Sequence, residues 1–330
     1  MLTLVTGATG LVGNNVVRAL ISRGAAVRAL VRSTADSRPF QGLDLEIVQG
    51  DVCDSDAVRR ACHGVTRVVH SAGRVHLGFS GWAEARAVNV DGTRNVAAAA
   101  REVGARMVHV SSVDALGLGS RKNPGDEERA ATGNVPCPYV LTKRDSERVL
   151  FDEVKQGLDA VIVNPVFVLG PWDWKPSSGR MLLEVARGRA LLAPRGGNDF
   201  CDARNVAQTI LTALERGKTG RRYILGGESL SYFEAWTLFA EITGARPPLA
   251  RVGPIALWVA GAAGSAWGKV TGREPDVNLA SIRMSLLEHH FRCDRARQEL
   301  GYEPGTAREA ATAAWQWFCE RGYADQSLVA

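Results

Sequence analysis

The 330-residue sequence predicts an α/β fold built on a parallel sheet, and three observations support this prediction. In the first half of the chain, short β-branched runs alternate with longer helical stretches, as in βαβ units. The first run leads directly into the glycine-rich stretch "TGATGLVGNN", which begins at Thr6. Between residues 168 and 197 the Trp, Pro and Gly content rises and the alternation stops, which indicates an inserted or separate lobe.

The alternation gives each element a place in the chain. We expect strands at residues 2–6, 26–31, 45–48, 65–73, 107–111 and 160–164, with helices at 14–23, 83–104 and 139–155. After the break, residues 205–217 have helical periodicity and residues 221–227 are typical of a strand. An amphipathic helix is predicted near residues 308–321.

The glycines of the first loop have a spacing that indicates a ligand. Gly7, Gly10 and Gly13 stand where a strand passes into a helix. Glycine lets another group approach the main chain closely, and a helix N-terminus attracts negative charge. The loop is therefore a candidate site for a dinucleotide pyrophosphate, although an ordinary strand–turn–helix would account for the same glycines.

Composition excludes several classes of function. The chain is 45% apolar and 23% charged, with a formal net charge of +5 and no dense basic run, so nucleic acid is not an expected partner. Six cysteines without CxxC pairs or metal-like spacing indicate reduced thiols and no metal site. Because the first strand starts at the initiator, with no signal peptide before it, we expect a cytoplasmic protein.

The residues at the end of the second strand bear on whether the dinucleotide is NAD(H) or NADP(H). NAD enzymes usually place Asp or Glu here to bind the ribose hydroxyls, but this chain has Val31 followed by Arg32 and Ser33. A guanidinium can bind a 2′-phosphate that a carboxylate would repel. NADP(H) is therefore the preferred cofactor, NAD(H) stays open, and a solvated surface arginine is the alternative. Asp51 and Val52 follow the third strand, where they could contact the edge and the face of an adenine ring.

A second group of residues has the chemistry of proton transfer. Tyr139 and Lys143 are four residues apart on a predicted helix and therefore share a face. We expect the ammonium to favour the phenolate and lower the pKa of the tyrosine, which would make it a usable acid or base. Ser112 follows the fifth strand at the carboxyl edge, where open α/β sheets bind ligands, and could hydrogen-bond a substrate carbonyl.

With these residues in order, the chain resembles the extended short-chain dehydrogenase/reductase family over nearly its whole length. The resemblance is carried by "TGATGLVG", the Asp51 segment, "NVDGTRN", the Ser112, Tyr139 and Lys143 set, "NPVFVLGP" and "FRCDRARQELGYEP". Within the family it is most similar to the dihydroflavonol-4-reductase-like and 3β-hydroxysteroid-dehydrogenase-like branch, through "VRALVRS", "VNPVFVLGP", "ALERGKTGRRYILGGESL" and "VTGREP".

The resemblance implies a Rossmann doubly wound parallel sheet with a smaller C-terminal substrate lobe. The cofactor domain would comprise residues 1–170 with 200–226 returning to it, and the substrate lobe residues 171–199 and 227–330. Tyr139 would exchange a proton with the substrate oxygen, Lys143 would also bind the nicotinamide ribose, and Ser112 would orient the carbonyl. The cofactor-binding residues implied are Gly7, Thr9, Gly10, Leu11, Val12, Gly13, Arg32, Ser33, Asp51, Val52, Ser71, Ala72, Gly73, Asn89, Tyr139, Lys143, Asn164, Pro165 and Val168.

Three hypotheses about function follow: an NAD(P)H-dependent ketone or alcohol oxidoreductase, an NAD-dependent nucleotide-sugar epimerase, and a catalytically silent dinucleotide-binding protein. Dehydratases of this fold follow the serine position with an acid and a base, whereas here the pair is Val113 and Asp114. Valine cannot donate a proton, so dehydration is disfavoured. An epimerase would need to grip a diphosphate, for which Arg180, Arg187 and Arg195 are the candidates.

The uncharged stretch 252–268 bears on the substrate and on partners. It is either a buried helix capping the lobe or a helix whose apolar face, with Trp258 and Trp267, lines the substrate mouth or rests on a membrane. Further tryptophans in the same half, Trp172, Trp174 and Trp236, favour a hydrophobic small molecule over a nucleotide sugar. The two long helices after strands four and five would suit either a homodimer face or packing within one chain.

Overall fold

The structure, a computed structural model, describes residues 1–271 and 274–324. Seven parallel strands form its central sheet, and six others build the smaller lobe. In chain order the strands are β1 (Leu2–Thr6), β2 (Ala26–Val31), β3 (Glu46–Gln49), β4 (Arg67–His70), β5 (Arg106–Val110), β6 (Ala160–Pro165), β7 (Phe167–Leu169), β8 (Leu192–Ala193), β9 (Gly197–Asp202), β10 (Arg222–Leu225), β11 (Glu228–Ser231), β12 (Ala250–Arg251) and β13 (Glu288–His289).

The strand order of the central sheet is β10-β6-β5-β4-β1-β2-β3, with every neighbouring pair parallel. This is the Rossmann doubly wound sheet that the sequence predicts. Because all strands run the same way, the loops that follow β1 to β6 emerge at one edge of the sheet. The residues proposed for cofactor binding and catalysis follow the ends of these strands and meet at that edge.

Twelve helices surround the two sheets in the described part of the chain. They are α1 (Leu11–Ser22), α2 (Ser55–Cys62), α3 (Trp82–Arg86), α4 (Gly92–Glu102), α5 (Pro138–Lys155), α6 (Gly179–Ala186), α7 (Ala203–Arg216), α8 (Tyr232–Thr243), α9 (Pro254–Thr271), α10 (Leu279–Ser285), α11 (Asp294–Leu300) and α12 (Ala307–Glu320). Apolar residues of α1 and α7 pack on one face of the central sheet, and those of α2, α4 and α5 pack on the other.

Most boundaries lie within two residues of the predicted ones, and the exceptions have identifiable causes. The first helix begins at Leu11 and not at residue 14, because Gly10 ends the loop and Gly13 is accommodated inside the helix. The helix predicted at 83–104 contains one π-turn, Ala87–Asp91, between α3 and α4. The break at 168–197 contains β7, α6 and β8, whose short lengths hide their periodicity.

The smaller lobe has its own core. Four strands (β7, β9, β11 and β13) form its sheet, and α6, α8 and α12 pack against it. Trp172, Trp174 and Trp236 belong to this core or pack directly on it. These tryptophans thus contribute to the packing of the lobe, and their use as apolar area for a substrate stays a prediction.

The stretch 252–268 forms most of α9, but the helix is not buried. Ile255, Val259 and Trp267 are 79, 65 and 65% exposed. The buried-helix interpretation is therefore wrong, and the large apolar side chains of α9 lie on the surface. In the part of the chain that the structure describes, no helix combines the length and the apolar character needed to cross a bilayer.

Candidate active site and dinucleotide cradle

The three glycines of the first loop have different structural roles. Gly7 has φ +68°, and a Cβ there would lie 2.5 Å from the Ala72 nitrogen. A Cβ on Gly13 would lie 2.3 Å from the Gly7 oxygen. These two glycines therefore let β1, the end of β4 and α1 pack closely. Gly10 is exposed, and a Cβ there would meet only the Gly7 oxygen at 3.4 Å, so its free side faces outward to where a ligand can approach.

The N-terminus of α1 is prepared for an anion. Gly10 is the N-cap residue and offers no side-chain cap, and the first turn holds no acidic residue. The helix dipole and the N–H groups of this turn, which contains Leu11, Val12 and Gly13, remain for a negatively charged ligand. Thr9 lies in the same loop and is half-buried. These residues fit the pyrophosphate of a dinucleotide.

The ends of β2 and β3 form the expected adenosine side. Arg32 and Ser33 are exposed, and within the described residues Arg32 makes no ion pair, whereas the nearby Arg38 is held by Asp36 at 2.6 Å. Arg32 is therefore free to bind an anion. Its guanidinium is near the segment that follows β3, since its charge acts on the Cys53 thiol.

Asp51 and Val52 close this side of the site. The Asp51 Oδ1 accepts a hydrogen bond from the Cys53 nitrogen at 2.9 Å, which fixes the turn after β3. Val52 is buried against Gly92, and its carbonyl accepts from the Asn95 side chain at 2.9 Å. Val52 is thus held in place by α4, and Asp51 by its own turn.

The loop after β4 leads toward the nicotinamide side. The Ser71 hydroxyl donates to the Thr6 carbonyl at 2.7 Å, and the Ala72 nitrogen donates to the Thr6 hydroxyl at 3.3 Å. Gly73 is exposed, and a Cβ there would come within 3.4 Å of the Lys143 Nζ and 3.5 Å of the Asn89 Oδ1. A ligand passing over Gly73 would therefore be close to both side chains.

Asn89 lies in the π-turn and is fully engaged by the protein. Its Oδ1 accepts from the Arg74 nitrogen at 2.7 Å, and its Nδ2 donates to the Arg74 carbonyl at 3.1 Å and the Thr142 hydroxyl at 2.9 Å. Asn89 thus ties the loop after β4 to α5. This supports a positioning role for Asn89, whose partner Thr142 directly precedes Lys143 on α5.

Ser112 and Tyr139 meet at the carboxyl end of β5. Both are buried, and the Ser112 hydroxyl is close enough to the Tyr139 phenol to act on its pKa. The Ser112 hydroxyl also lies 3.2 Å from the Asp114 carboxylate, to which it donates. Burial, together with the negative charge of Asp114, raises the pKa of Tyr139. The expected lowering of this pKa is wrong for the protein as described, and Tyr139 is a protonated phenol.

Lys143 lies one turn along α5 from Tyr139, with its side chain only 6% exposed. Its Nζ donates to the Val110 carbonyl at 3.0 Å. Burial lowers the pKa of Lys143 to about 8, against the attraction of Glu147 and Asp114. The ammonium is engaged with the main chain of β5, which explains why it does not act on the phenol as expected.

Two buried histidines lie near this ammonium. His70 on β4 bonds Thr6 and Thr93 at 2.7 and 3.0 Å, and its ring stacks on that of His109, 5.3 Å away. Burial and the charge of Lys143 lower the pKa of His70 to about 3, and burial likewise lowers the pKa of His109. Both imidazole rings are therefore neutral, and of these three side chains only Lys143 carries a positive charge.

Asn164 supports Ser112 from β6. Its Nδ2 donates to the Ser112 carbonyl at 2.9 Å and to the Glu147 Oε1 at 2.6 Å. Pro165 and Val168, which follow it, are also buried. Asn164 therefore contacts the main chain of Ser112, a predicted catalytic residue, and its own Oδ1 is buried without a hydrogen-bond partner among the described residues.

Several residues of the site were missed by the sequence reasoning. Glu147, which is 1% exposed, accepts from the Ser111 hydroxyl at 2.5 Å and from the Arg222 Nε at 2.6 Å. The buried His289 lies 3.7 Å from Asp114, and burial lowers its pKa. Glu147 could have been noticed, because it lies four residues after Lys143 on the same helix face. His289 had no local signal.

The three arginines predicted to bind a diphosphate do not form one cluster with each other. Arg180 pairs with Asp276 at 2.7 Å and Arg187 with Glu184 at 2.8 Å. Arg195 lines a separate surface cleft with Arg121 and Arg251. Only Arg195 of the three makes no ion pair within the described ranges.

Comparison with known proteins agrees with this geometry. The model of the NAD dependent epimerase/dehydratase family matches residues 3–226. Sterol demethylase protein B of Methylococcus capsulatus is 36% identical over 331 residues, covering 98% of this chain and 99% of that protein. The 3 beta-hydroxysteroid dehydrogenase/Delta 5-->4-isomerase of Mycobacterium tuberculosis is 29% identical over 341 residues, covering 96% and 90%. The crystal structure of gox2253 superposes with a TM-score of 0.85 at 36% identity, covering 97% of this chain and 98% of that one.

Proposed function

Because the chain belongs to the NAD dependent epimerase/dehydratase family and is an NAD(P)-dependent oxidoreductase, we propose that it uses NADPH to interconvert a ketone and an alcohol on a hydrophobic molecule of sterol-like size. The observation that carries the proposal is the buried group of Ser112, Tyr139 and Lys143, in which the Ser112 hydroxyl lies beside the phenol. A bound nicotinamide would supply or accept the hydride at the substrate carbon.

Tyr139 is the proton donor in the reducing direction. Its raised pKa keeps the phenol protonated at neutral pH, so it can give its proton to the substrate oxygen as negative charge develops there. Ser112 presents a second hydroxyl at the same place. Since that hydroxyl now donates to Asp114, it must turn away from the carboxylate to donate to the substrate.

Lys143 places a positive charge beside the expected cofactor position. Its bond to the Val110 carbonyl holds the ammonium beside Gly73, where it can bind the ribose hydroxyls of a cofactor that passes over the glycine. With a pKa of about 8 the side chain is mostly charged at pH 7.

The surroundings of Tyr139 favour an apolar substrate. Its ring packs in a small cluster that includes Cys137, Val140, Ala280 and Met284. Arg180 and Arg187 are held in ion pairs by Asp276 and Glu184, so they are not free to bind a diphosphate, which disfavours the epimerase hypothesis. Val113 is buried and carries no proton, which disfavours dehydration.

NADPH preference is tested by titrating both cofactors into the protein by calorimetry. We expect tighter binding of NADPH, and Arg32→Asp should remove roughly ten- to hundredfold of that preference, because one charged contact to a phosphate is lost. Arg60→Asp, an equal charge change at an exposed residue of α2, is the matched control and should leave the preference unchanged. Equal affinity for both cofactors in the unmodified protein would contradict the proposal.

The reaction is tested by assaying sterol-like and flavonoid-like ketones beside UDP-sugars with the preferred cofactor. We expect turnover of the ketones or of the corresponding alcohols. Turnover of UDP-sugars alone would support the epimerase hypothesis, and binding of cofactor without any turnover would support the silent one.

A further inference from the structure

The large apolar side chains of α9 point away from the rest of the protein. Ile255, Val259 and Val270 are 79, 65 and 83% exposed and share one helix face. Trp258 and Trp267, at 46 and 65% exposure, flank that face. A helix on the surface of a water-soluble domain normally turns such residues toward the core. In α9 the arrangement is reversed.

Small residues form the side of α9 that contacts the protein. A Cβ on Gly261 would lie 3.0 Å from Ile282, and one on Gly264 would lie 1.9 Å from the Val277 carbonyl. The Ser265 hydroxyl accepts from the Leu279 nitrogen at 3.0 Å. These contacts fix the rotation of α9 against α10, because a larger residue could not occupy the glycine positions. The outward face is therefore set by packing.

The apolar surface continues onto the short ribbon of β8 and β12. The two strands pair in parallel, and the Leu249 nitrogen donates to the Leu191 carbonyl at 2.9 Å. Leu191, Leu192 and Leu249 are 47, 50 and 77% exposed. Since α9 begins three residues after β12, the ribbon and the helix are neighbours along the chain, and we call their exposed apolar side chains the outer apolar surface.

Positive charges predominate in the two segments that carry this surface, and Glu184, Glu234 and Glu288 lie beside them. Segments 185–198 and 244–271 contain six Arg and Lys residues and no Asp or Glu. Arg195, Arg246 and Arg251 are exposed, and none of them makes an ion pair with a described residue. The Arg251 guanidinium instead lies 5.6 Å from the centre of the Phe233 ring. Free cations therefore border an apolar face that carries tryptophans.

We propose that the outer apolar surface docks on an anionic lipid bilayer. In this arrangement α9 lies in the plane of the interface, with Ile255 and Val259 in the acyl boundary and the free arginines at the headgroup phosphates. Exposed tryptophans are suited to that depth, because the indole ring has an apolar body and a polar N–H. Since no helix of the described residues can cross a bilayer, the contact is peripheral.

The docked face is close to the site. α9 packs on α10, and Ala280 and Met284 of α10 belong to the cluster around Tyr139. A bilayer against α9 would therefore lie near the apolar side of the substrate position, from which a lipid-soluble ketone could enter. This last step rests on the proposed function, whereas the docking itself does not.

The test uses the full chain without cofactor and sucrose-loaded vesicles, of phosphatidylcholine alone or with about 30% phosphatidylglycerol. We expect at least tenfold tighter co-sedimentation with the anionic vesicles. The double variant Ile255→Asn/Val259→Asn should lose at least tenfold on both vesicle types, and Arg246→Gln/Arg251→Gln should lose affinity on the anionic vesicles only. Ile47→Asn, on the 48% exposed Ile47 of β3, is the matched control and should bind like the unmodified protein.

Failure to sediment with either vesicle would overturn the proposal, as would equal losses in the control and in the α9 variant. A lipid-free dimer in sedimentation velocity that Val259→Asn dissociates would show that a second copy covers the surface, and this would also overturn it. Circular dichroism verifies that each variant is folded. Turnover of UDP-sugars alone by a vesicle-binding protein would refute the proposed function and leave the docking intact.

Discussion

Two helices of equal length, α5 and α9, depart from the usual amphipathic pattern in opposite ways. Each has 18 residues. α5 buries a tyrosine, a lysine and a glutamate at Tyr139, Lys143 and Glu147, whereas α9 exposes its isoleucine, valines and tryptophans. Helices normally bury apolar residues and expose charged ones, because each departure has a cost in free energy.

The comparison shows where each departure is compensated. The buried polar groups of α5 are compensated within the chain: Tyr139 lies beside the Ser112 hydroxyl, Lys143 bonds a carbonyl of β5, and Glu147 bonds Ser111 and Arg222. The exposed face of α9 has no such partner in the described part of the chain. We therefore expect α5 to be sensitive to substitution in the isolated protein, and the outer face of α9 to be insensitive until something covers it.

The largest effect is expected at Tyr139. Tyr139→Phe should lower turnover by about 10²- to 10⁴-fold, because the proton donor is removed while the ring remains. Cofactor affinity, measured by calorimetry, should stay within about twofold. Tyr323→Phe removes a hydroxyl that bonds the Trp174 carbonyl outside the site, and should leave turnover unchanged. Near-normal turnover of Tyr139→Phe would show that the assignment is wrong.

Glu147→Gln should lower the free energy of unfolding by about 1–3 kcal/mol, since it removes a buried carboxylate and leaves the partly exposed guanidinium of Arg222 unpaired. Urea denaturation measures the change. The double variant with Arg222→Gln should recover part of the loss, because the unpaired charge is then absent. Glu84→Gln, at an exposed position of α3, is the control. Equal changes in Glu84→Gln and Glu147→Gln would refute the role of the pair.

Lys143→Met should stabilise the cofactor-free protein while abolishing its activity. Burial lowers the pKa of Lys143 from 10.5 to about 8 when the chain folds. Between these values the unfolded chain binds more protons, so the stability of the unmodified protein rises with pH, and the cost of burying the charge is fully present below about 8. The variant should gain about 1–3 kcal/mol at pH 7, and about 1 kcal/mol less at pH 9. A loss of stability at both pH values would contradict this account.

The smallest effect is expected on the exposed face of α9. Val259→Ala should change the free energy of unfolding by less than about 0.5 kcal/mol, whereas Val140→Ala, in the buried part of α5, should cost about 2 kcal/mol. The same substitution at two helices thus measures burial alone. A cost at Val259 as large as that at Val140 in dilute solution would mean that α9 is already covered, for example by a second copy of the chain.

The elements that the sequence predicts well are those with a local pattern. The strands of the central sheet are short β-branched runs, and the glycine loop has a fixed spacing, so both can be recognised without their partners. Tyr139 and Lys143 are recognisable for the same reason, since four residues on a helix define one face. Even here the pKa of Tyr139 was expected to fall, because burial and the charge of Asp114 depend on the folded surroundings.

Contacts between distant segments were not predictable in this way. Glu147 and Arg222 are separated by 75 positions, and His289 reaches Asp114 from the opposite end of the chain. The orientation of α9 was also open, because a uniformly apolar stretch does not specify which side faces inward. The close contacts of Gly261 and Gly264 with the following segment decide it. The role of Trp174 likewise depended on α12, which lies far along the chain and packs against it.

The position of β10 has a consequence for how such proteins can recombine. This strand enters the central sheet only after the chain has passed through the first part of the smaller lobe, and it brings the cation that neutralises Glu147. A gene fragment that stops before Arg222 would encode a sheet with an unprotected edge and a buried unpaired carboxylate. Exchange of the smaller lobe between relatives therefore requires crossovers on both sides of β10, so that the strand stays with the sheet to which it belongs.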